Sequence, residues 1–304
     1  MTDTTAETGA PAPRTDLQAD PVARGPLARF FENWPLSVLL ALGWVFVVLV
    51  VAIGADVIAP YSYTGLDLSS RLSPPVFMGG SWAHLLGTDE LGRDVFSRLV
   101  QSIRMSLLIA FFGTIIATTL GTSLGFLAAH FRGKVEALVL MLIDFQASMP
   151  FLIIALAVLA FFGNSLPLFI MLMGFNAWER YARIARGLTI SAHEQGYAAA
   201  VRQLGASPWR TYGHHILPNI ASTLIVSMTL SFPETILMES GLSFLGLGVQ
   251  PPMTSLGNMV GYGREYITRA SWIMLSPALV IVLTTLSISM IGDWLRDRLD
   301  PTLQ

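Results

Sequence analysis

Apolar residues in this chain lie in blocks about as long as a bilayer is thick, and that constrains the fold more than any other feature. A hydrocarbon core about 30 Å thick takes roughly 20 helical residues at 1.5 Å rise each. Blocks of that kind run over Leu36–Ile58, Met105–Ala129, Val135–Phe162, Ile220–Leu247 and Trp272–Trp294, with a shorter one over Leu166–Tyr181 that ends in Trp178, Glu179 and Arg180. The reading is an all-α membrane protein with six transmembrane helices. Only 12% of residues are charged, against roughly a quarter in an average soluble domain, which makes lipid the solvent for most of the chain.

Arginine placement orients the helices. With the N-terminus inside, the outer segments hold six of the 18 Lys and Arg residues (Arg71, Arg93, Arg98, Arg104, Arg264 and Arg269) and the inner segments the other twelve. That bias places both termini in the cytoplasm. The chain then divides into a Thr-, Ala- and Pro-rich tail over 1–34, expected to be disordered, a first transmembrane helix over 35–59, an outer segment over 60–104, and a five-helix core over 105–304 that contains an inner polar loop, 187–218. The tail lacks the basic start and adjoining apolar core of a cleaved signal, so the first helix is expected to stay as an anchor.

Several functions are excluded by what is missing. A phosphate-binding P-loop ends in Gly-Lys-Ser/Thr, and the only lysine, Lys134, is followed by Val135. With no cysteine, disulfides, thiolate zinc sites and iron–sulfur clusters are ruled out. The histidines are scattered, and the adjacent His214 and His215 point to different faces of any helix, so neither a metal site nor a set of nucleophile, base and orienter is expected. The net charge of −2 does not bear on nucleic acid, but no basic run exists that could track phosphates, so nucleic-acid binding is not expected. A channel needs a repeated polar ring, and a proton-coupled carrier needs acids converging on one path. Away from the ends of the blocks the acids are few: Asp144, Glu234 and Glu239, with Asp293 near the end of the last. Each costs about 2.5 to 3.5 kcal/mol if it faces lipid. They are expected to face a water-filled path or to be satisfied between helices, the second being the better reading for Asp144 and Glu239. Pro150 and Pro233 are expected to interrupt spans three and five, and Gly121 with Gly125 to allow close helix packing.

The inner segment Gly187–Pro218 reads as two short helices. Ser191 and Glu194 form a capping box for the first. Tyr197, Val201 and Leu204 share a face, and Gly205 suits the left-handed residue that ends a helix. Ser207-Pro208 starts the second. Val201, Leu204 and Trp209 then present an apolar ridge outside the bilayer, either for a partner or for packing under the chain's own helices and lipid headgroups. In the outer segment His84–Leu107, Thr88 or Asp89 is expected to cap an amphipathic helix leading into the second span, with Asp94 and Arg98 paired at i, i+4.

Tyr197-Ala-Ala-Ala-Val-Arg-Gln-Leu-Gly205, nine residues, then His215-Ile-Leu-Pro218 resembles the signature loop of bacterial ABC-importer permeases: Glu-Ala-Ala, three residues, Gly, nine residues, Ile-x-Leu-Pro. Ala199 stands where the signature has Glu, Val201 where it has its second Ala, and His215 where it has Ile. Leu86-Gly-Thr-Asp-Glu-Leu-Gly-Arg-Asp-Val-Phe-Ser-Arg98 with Arg104-Met-Ser-Leu107, Glu239-Ser-Gly-Leu-Ser-Phe-Leu-Gly-Leu-Gly-Val-Gln-Pro-Pro252, and Gly292-Asp-Trp-Leu-Arg-Asp-Arg-Leu-Asp-Pro301 narrow the resemblance to the dipeptide/oligopeptide/nickel permease family, C-type subunit. It covers the chain from about Leu36 to its end.

The resemblance implies a type I importer permease fold in a bacterial inner membrane. It implies a homologous B-type permease beside this chain, two ATPase subunits beneath that use ATP and Mg while this chain binds no cofactor, and an extracytoplasmic solute-binding protein that delivers substrate. The residues it points to for ATPase coupling are Tyr197, Ala199, Ala200, Val201, Leu204, Gly205, Ala206, Ser207, Trp209 and Pro218. A short peptide is the substrate class it favours, with nickel chelates, glutathione, murein peptides or sugars as alternatives, and an ion-coupled secondary carrier as the other type of transporter.

Overall fold

The computed structural model describes residues 34–194, 207 and 210–299. From Ser37 onward the chain forms one compact unit, and Leu36 opens its first helix. Helix α1 (Leu36–Ile53) buries only Val38, Ala41, Val48 and Ala52, one stripe at helical spacing, and the indole N–H of Trp44 on that side donates to Thr284 Oγ1 at 3.1 Å. Its other faces are large, apolar and exposed, as suits a helix against lipid. A short α2 (Ala55–Ile58) continues it.

Residues 59–94 fold into a knob with two 3₁₀ turns, Leu68–Ser70 and Val76–Met78, instead of the amphipathic helix expected from Thr88 or Asp89. Helix α3 (Val95–Phe131) begins only at Val95 and runs unbroken into the second span. Asp94 is its cap, accepting from the Ser97 backbone N–H and hydroxyl, both at 2.7 Å. The expected Asp94–Arg98 pair gives way because Asp94 is engaged in capping, and Arg98 turns to Asp89.

Beyond Arg132, α4 (Gly133–Ser148) and α5 (Phe151–Phe162) divide the third apolar block, with a bend of 93° between them. Met149 is extended, with φ −104° and ψ 133°, because the ring of Pro150 excludes the α region from the residue before it. Pro233, by contrast, lies inside a continuous helix and does not interrupt it: α7 (Leu217–Phe244) follows a π turn, Thr211–Ile216, without a break. Pro218 sits near the start of α7, where its missing N–H costs nothing.

Between them, α6 (Leu166–Glu194) extends a full three turns past the block that ended at Tyr181. Ser191 and Glu194 therefore form its last turn and do not cap a new helix. The reason is tertiary: Ala182, Ala185, Thr189 and Ala192 continue the buried face to the end of the helix. After α7 come α8 (Leu256–Gly263) and α9 (Trp272–Leu299). Among the described residues four helices, α1, α3, α7 with its π turn, and α9, are long and apolar enough to cross a membrane; the bent α4–α5 pair makes a fifth if it counts as one span.

Helix α3 is the central post. At its Val95 end it packs with α1, α7, α8 and α9 through Val48, Ile103, Ile236, Met259 and Trp272. Midway it meets α5, α6 and α7 around Ile109, Phe169, Met173 and Leu242. At its far end Ala128 joins Val139 and Ile143 of α4 to Trp178 and Ala182 of α6. Its closest approach is to α6. A Cβ on Gly121 would lie 2.2 Å from the Trp178 carbonyl oxygen, and one on Gly125 2.6 Å from that of Ala182. Small residues let these backbones touch, as packing without a hydrophobic drive between helices requires.

Candidate functional site

Three polar constructions interrupt this apolar bundle. The first is the knob before α3. Asp89, 1% exposed, accepts from the backbone N–H groups of Leu91 and Arg93, both at 2.9 Å, from Arg93 Nε at 2.7 Å, and from Arg98 Nη1. Such a carboxylate is fully solvated by protein. Gly92 is required for the turn between them: its φ is +73°, and a Cβ there would lie 1.7 Å from the Asp67 carbonyl oxygen. Asp67 itself holds the neighbouring 3₁₀ turn, and the Ser69 and Ser70 hydroxyls that donate to it keep its carboxyl below the usual carboxylate range. Thr88 ties the knob to the bundle, since its carbonyl accepts from Trp272 Nε1 of α9 at 3.2 Å. The Leu86–Arg98 motif thus encodes a folded structure rather than a charged helix face.

The second is a cage of serines around Glu239, which is wholly buried on α7. Its carboxylate accepts from Ser106 of α3 at 2.9 Å, from Ser243 at 2.7 Å and from Ser240 at 3.4 Å. The Ser106 oxygen also accepts from the Leu256 N–H at 3.1 Å. One acid therefore fastens α3, α7 and α8 together close to the knob.

The third is a set of ion pairs along α6. Arg180 Nη1 meets Glu234 of α7 at 2.8 Å, Arg183 meets Asp144 of α4 at 3.4 Å, and Arg186 donates through Nε to Glu136 of α4 at 2.8 Å. Asp144 and Glu234 are exposed, whereas Glu239 is enclosed. Counting these arginines for topology alone misses that Asn176, Arg180 and Arg183 recur at four- and three-residue spacing on one stripe of α6.

The chain matches the family model described as binding-protein-dependent transport system inner membrane component over residues 121–304. It is 37% identical over 282 residues to the di/tripeptide transport system permease protein DppC of Pseudomonas aeruginosa, covering 92% of this chain and 93% of that one. The chain belongs to that family. This permease is also 37% identical to the dipeptide transport system permease protein DppC of Escherichia coli, with 93% and 96% covered, and 32% identical to the glutathione transport system permease protein GsiD of Pectobacterium atrosepticum, with 94% of each covered. In fold it is similar to the inward-facing MetNI methionine ABC transporter, with a TM-score of 0.55 at 22% identity, covering 66% of this chain and 96% of that one. It is a multi-pass membrane transport protein.

Of the loop residues singled out in the sequence of this permease, Tyr197, Ala199, Ala200, Val201, Leu204, Gly205, Ala206 and Trp209 lie outside the described residues. Ser207 is described and is exposed. Its hydroxyl accepts from the Arg210 N–H at 3.4 Å and its carbonyl from the Thr211 N–H at 3.0 Å, the pattern of a residue that opens a helix. From Arg210 the chain passes through the π turn into α7. At that root, Tyr212 stacks edge-on to His130 at the end of α3, with their rings 5.4 Å apart and Tyr212 Oη 3.1 Å from His130 Nδ1. The His193 ring of α6 lies 6.1 Å from the same tyrosine. Nothing in the sequence alone marks these three rings as neighbours.

Proposed function

We propose that this chain is the C-type permease of an ATP-driven importer of short peptides, forming half of the translocation pathway. The observation that carries the reading is kinship along nearly the whole chain with permeases described as carrying dipeptides and di/tripeptides. The glutathione permease among the relatives favours glutathione as a second substrate; being a tripeptide, it shares the ammonium, carboxylate and amide groups of the first.

In this reading the chain crosses the bacterial inner membrane six times, as α1, α3, the α4–α5 pair, α6, α7 and α9, with both termini in the cytoplasm. The sixth crossing is α6, whose 29 residues reach about 43 Å and whose arginines are paired. The knob and α8 then face outward toward a solute-binding protein. The loop over 187–218 faces two ATPase subunits, which use ATP and Mg, and a homologous B-type permease completes the pathway. Closure of the ATPases moves the loop and biases the spans between inward-open and outward-open states, one two-state element joining two sites.

Vesicles holding the assembled transporter and its binding protein are expected to accumulate labelled trialanine with ATP and to keep doing so when a protonophore collapses the proton gradient. Uptake that follows the proton gradient and ignores ATP overturns the reading. Within the loop, Gly205→Val is expected to lower uptake at least a hundredfold with normal amounts of chain in the membrane, because a β-branched residue resists the left-handed conformation. Uptake at the unmodified rate in that variant would remove the coupling role assigned to the loop.

A further inference from the structure

Helix α6 changes character along its length. Tyr181, Ala182 and Ala185 are buried against α3. On a second stripe Phe169 and Met173 are buried, and the same stripe continues at three- and four-residue spacing through Asn176, Arg180, Arg183 and Gly187. The side chains of Arg180 and Glu234 are 47% and 56% exposed although they bond each other at 2.8 Å. Arg180 stands at the midpoint of the 29-residue helix, about 20 Å from either end.

Hydrocarbon is a poor neighbour for such a pair, since neither charge is solvated there. Lipid has other surfaces to cover, where Phe161, Leu275, Leu279 and Val282 are exposed. The charged stripe is therefore turned to water or to protein. Beside it lies an open groove of about 750 Å³ between α5, α6 and α7, with Leu152, Leu237 and Met238 as apolar lining and Asn176, Glu179, Arg180 and Glu234 as polar lining. Glu179 also lines the groove, with its Oε2 turned inward, buried and without a hydrogen-bond partner among the described residues.

Two carboxylates, one guanidinium and an apolar lining complement a short zwitterionic peptide. Its ammonium suits the acids, its carboxylate suits the planar fork of an arginine, and its side chains suit the leucines and methionine. An exposed ion pair contributes little to stability, so a peptide's own charges displace it at little cost. We propose that the Arg180–Glu234 pair is a peptide-binding station midway along the pathway, with Glu234 and Glu179 taking the ammonium and Arg180 the carboxylate. This rests on the peptide-importer reading above and adds to it the residues that meet the cargo.

The chain has no cysteine, so Asn176→Cys and Glu234→Cys report directly on access. In vesicles holding the assembled transporter, a cationic methanethiosulfonate reagent is expected to modify both at least tenfold faster than Leu275→Cys on the lipid side. Trialanine at saturating concentration is expected to slow modification of Asn176→Cys at least threefold. Modification no faster than at Leu275→Cys, or indifferent to trialanine, overturns the station. Glu234→Gln is expected to lower trialanine uptake at least tenfold, with Glu234→Asp restoring it to within threefold; uptake at the unmodified rate in Glu234→Gln also overturns it. Failure of the unmodified transporter to accumulate trialanine strikes the peptide reading instead, so the unmodified control tells the two failures apart.

Discussion

Replacing Asp89 with alanine is expected to destabilise the knob by about 3–5 kcal/mol, the usual cost of leaving a buried charge without its partner. Arg98 is 5% exposed, and its Nε has no hydrogen-bond partner among the described residues, so loss of Asp89 removes the acceptor for Nη1 and leaves the cation buried. Two backbone N–H groups, of Leu91 and Arg93, lose their acceptor as well. The measurement is thermal unfolding of the detergent-solubilised transporter, with protease cutting in residues 59–94 as a local readout. Asp89→Asn keeps one oxygen, which both N–H groups can share as they share Oδ1, and should fall between. The double variant Asp89→Ala/Arg98→Met, which removes both charges, should recover more than half of the loss; a double variant no better than the single one would show that the charge is not the cause. An unchanged melting curve in Asp89→Ala would sink the account of the motif altogether.

Gly121→Val is the second large effect. The added side chain begins 2.2 Å from the Trp178 carbonyl oxygen and 2.7 Å from Tyr181 Cβ. The obstacle is helix backbone on one side and a fully buried tyrosine on the other, so neither yields as the tip of a flexible side chain would. Overpacking in a tight core costs about 1–3 kcal/mol, and a contact with backbone belongs at the top of that range. The expected result is a chain that inserts but separates α6 from α3, with a lower melting temperature and transport below a tenth of normal. By contrast Gly187→Ala, where an added Cβ meets nothing within 4 Å, should leave the melting temperature unchanged. Equal behaviour of the two variants would remove close packing as the explanation.

The lengths of the apolar blocks made α1, α3, α7 and α9 legible, because hydrophobic length is a local property and the bilayer sets its scale. Gly121 and Gly125 were legible for a related reason: a four-residue spacing of small residues fixes a face without knowledge of the partner. The knob was not legible. Leu91, Val95 and Leu99 repeat at four residues, yet Gly87 and Gly92 at positive φ turn the chain before Val95, and hydrogen bonds from Leu72 and Ser73 replace the helical ones. The end of α6 was missed because a capping box is a local signal and the buried face of Ala182 to Ala192 overrides it. For the acids, the sequence located Asp144, Glu234 and Glu239 without saying what they meet. Partners 39, 54 and 133 residues away are set by how helices pair, which no local pattern carries. The glutamate-to-alanine departure at Ala199 shifts the weight of the coupling proposal from a charged contact to shape, carried by Gly205 and the apolar residues beside it.

Because α3 has no break along its 37 residues, it behaves as a beam about 55 Å long. One end is built into the knob through the Asp94 cap and the other bears on Tyr212 through His130. A push at one end of such a beam is expected to turn it where it is pinched, at Gly121 and Gly125 against α6. A tilt of about 10° about that point would carry the Val95 end about 7 Å and the Phe131 end about 2 Å the other way. Gearing between the two faces of the membrane is thus a matter of where the fulcrum lies, and the glycines that let two helices touch also set the ratio of the lever.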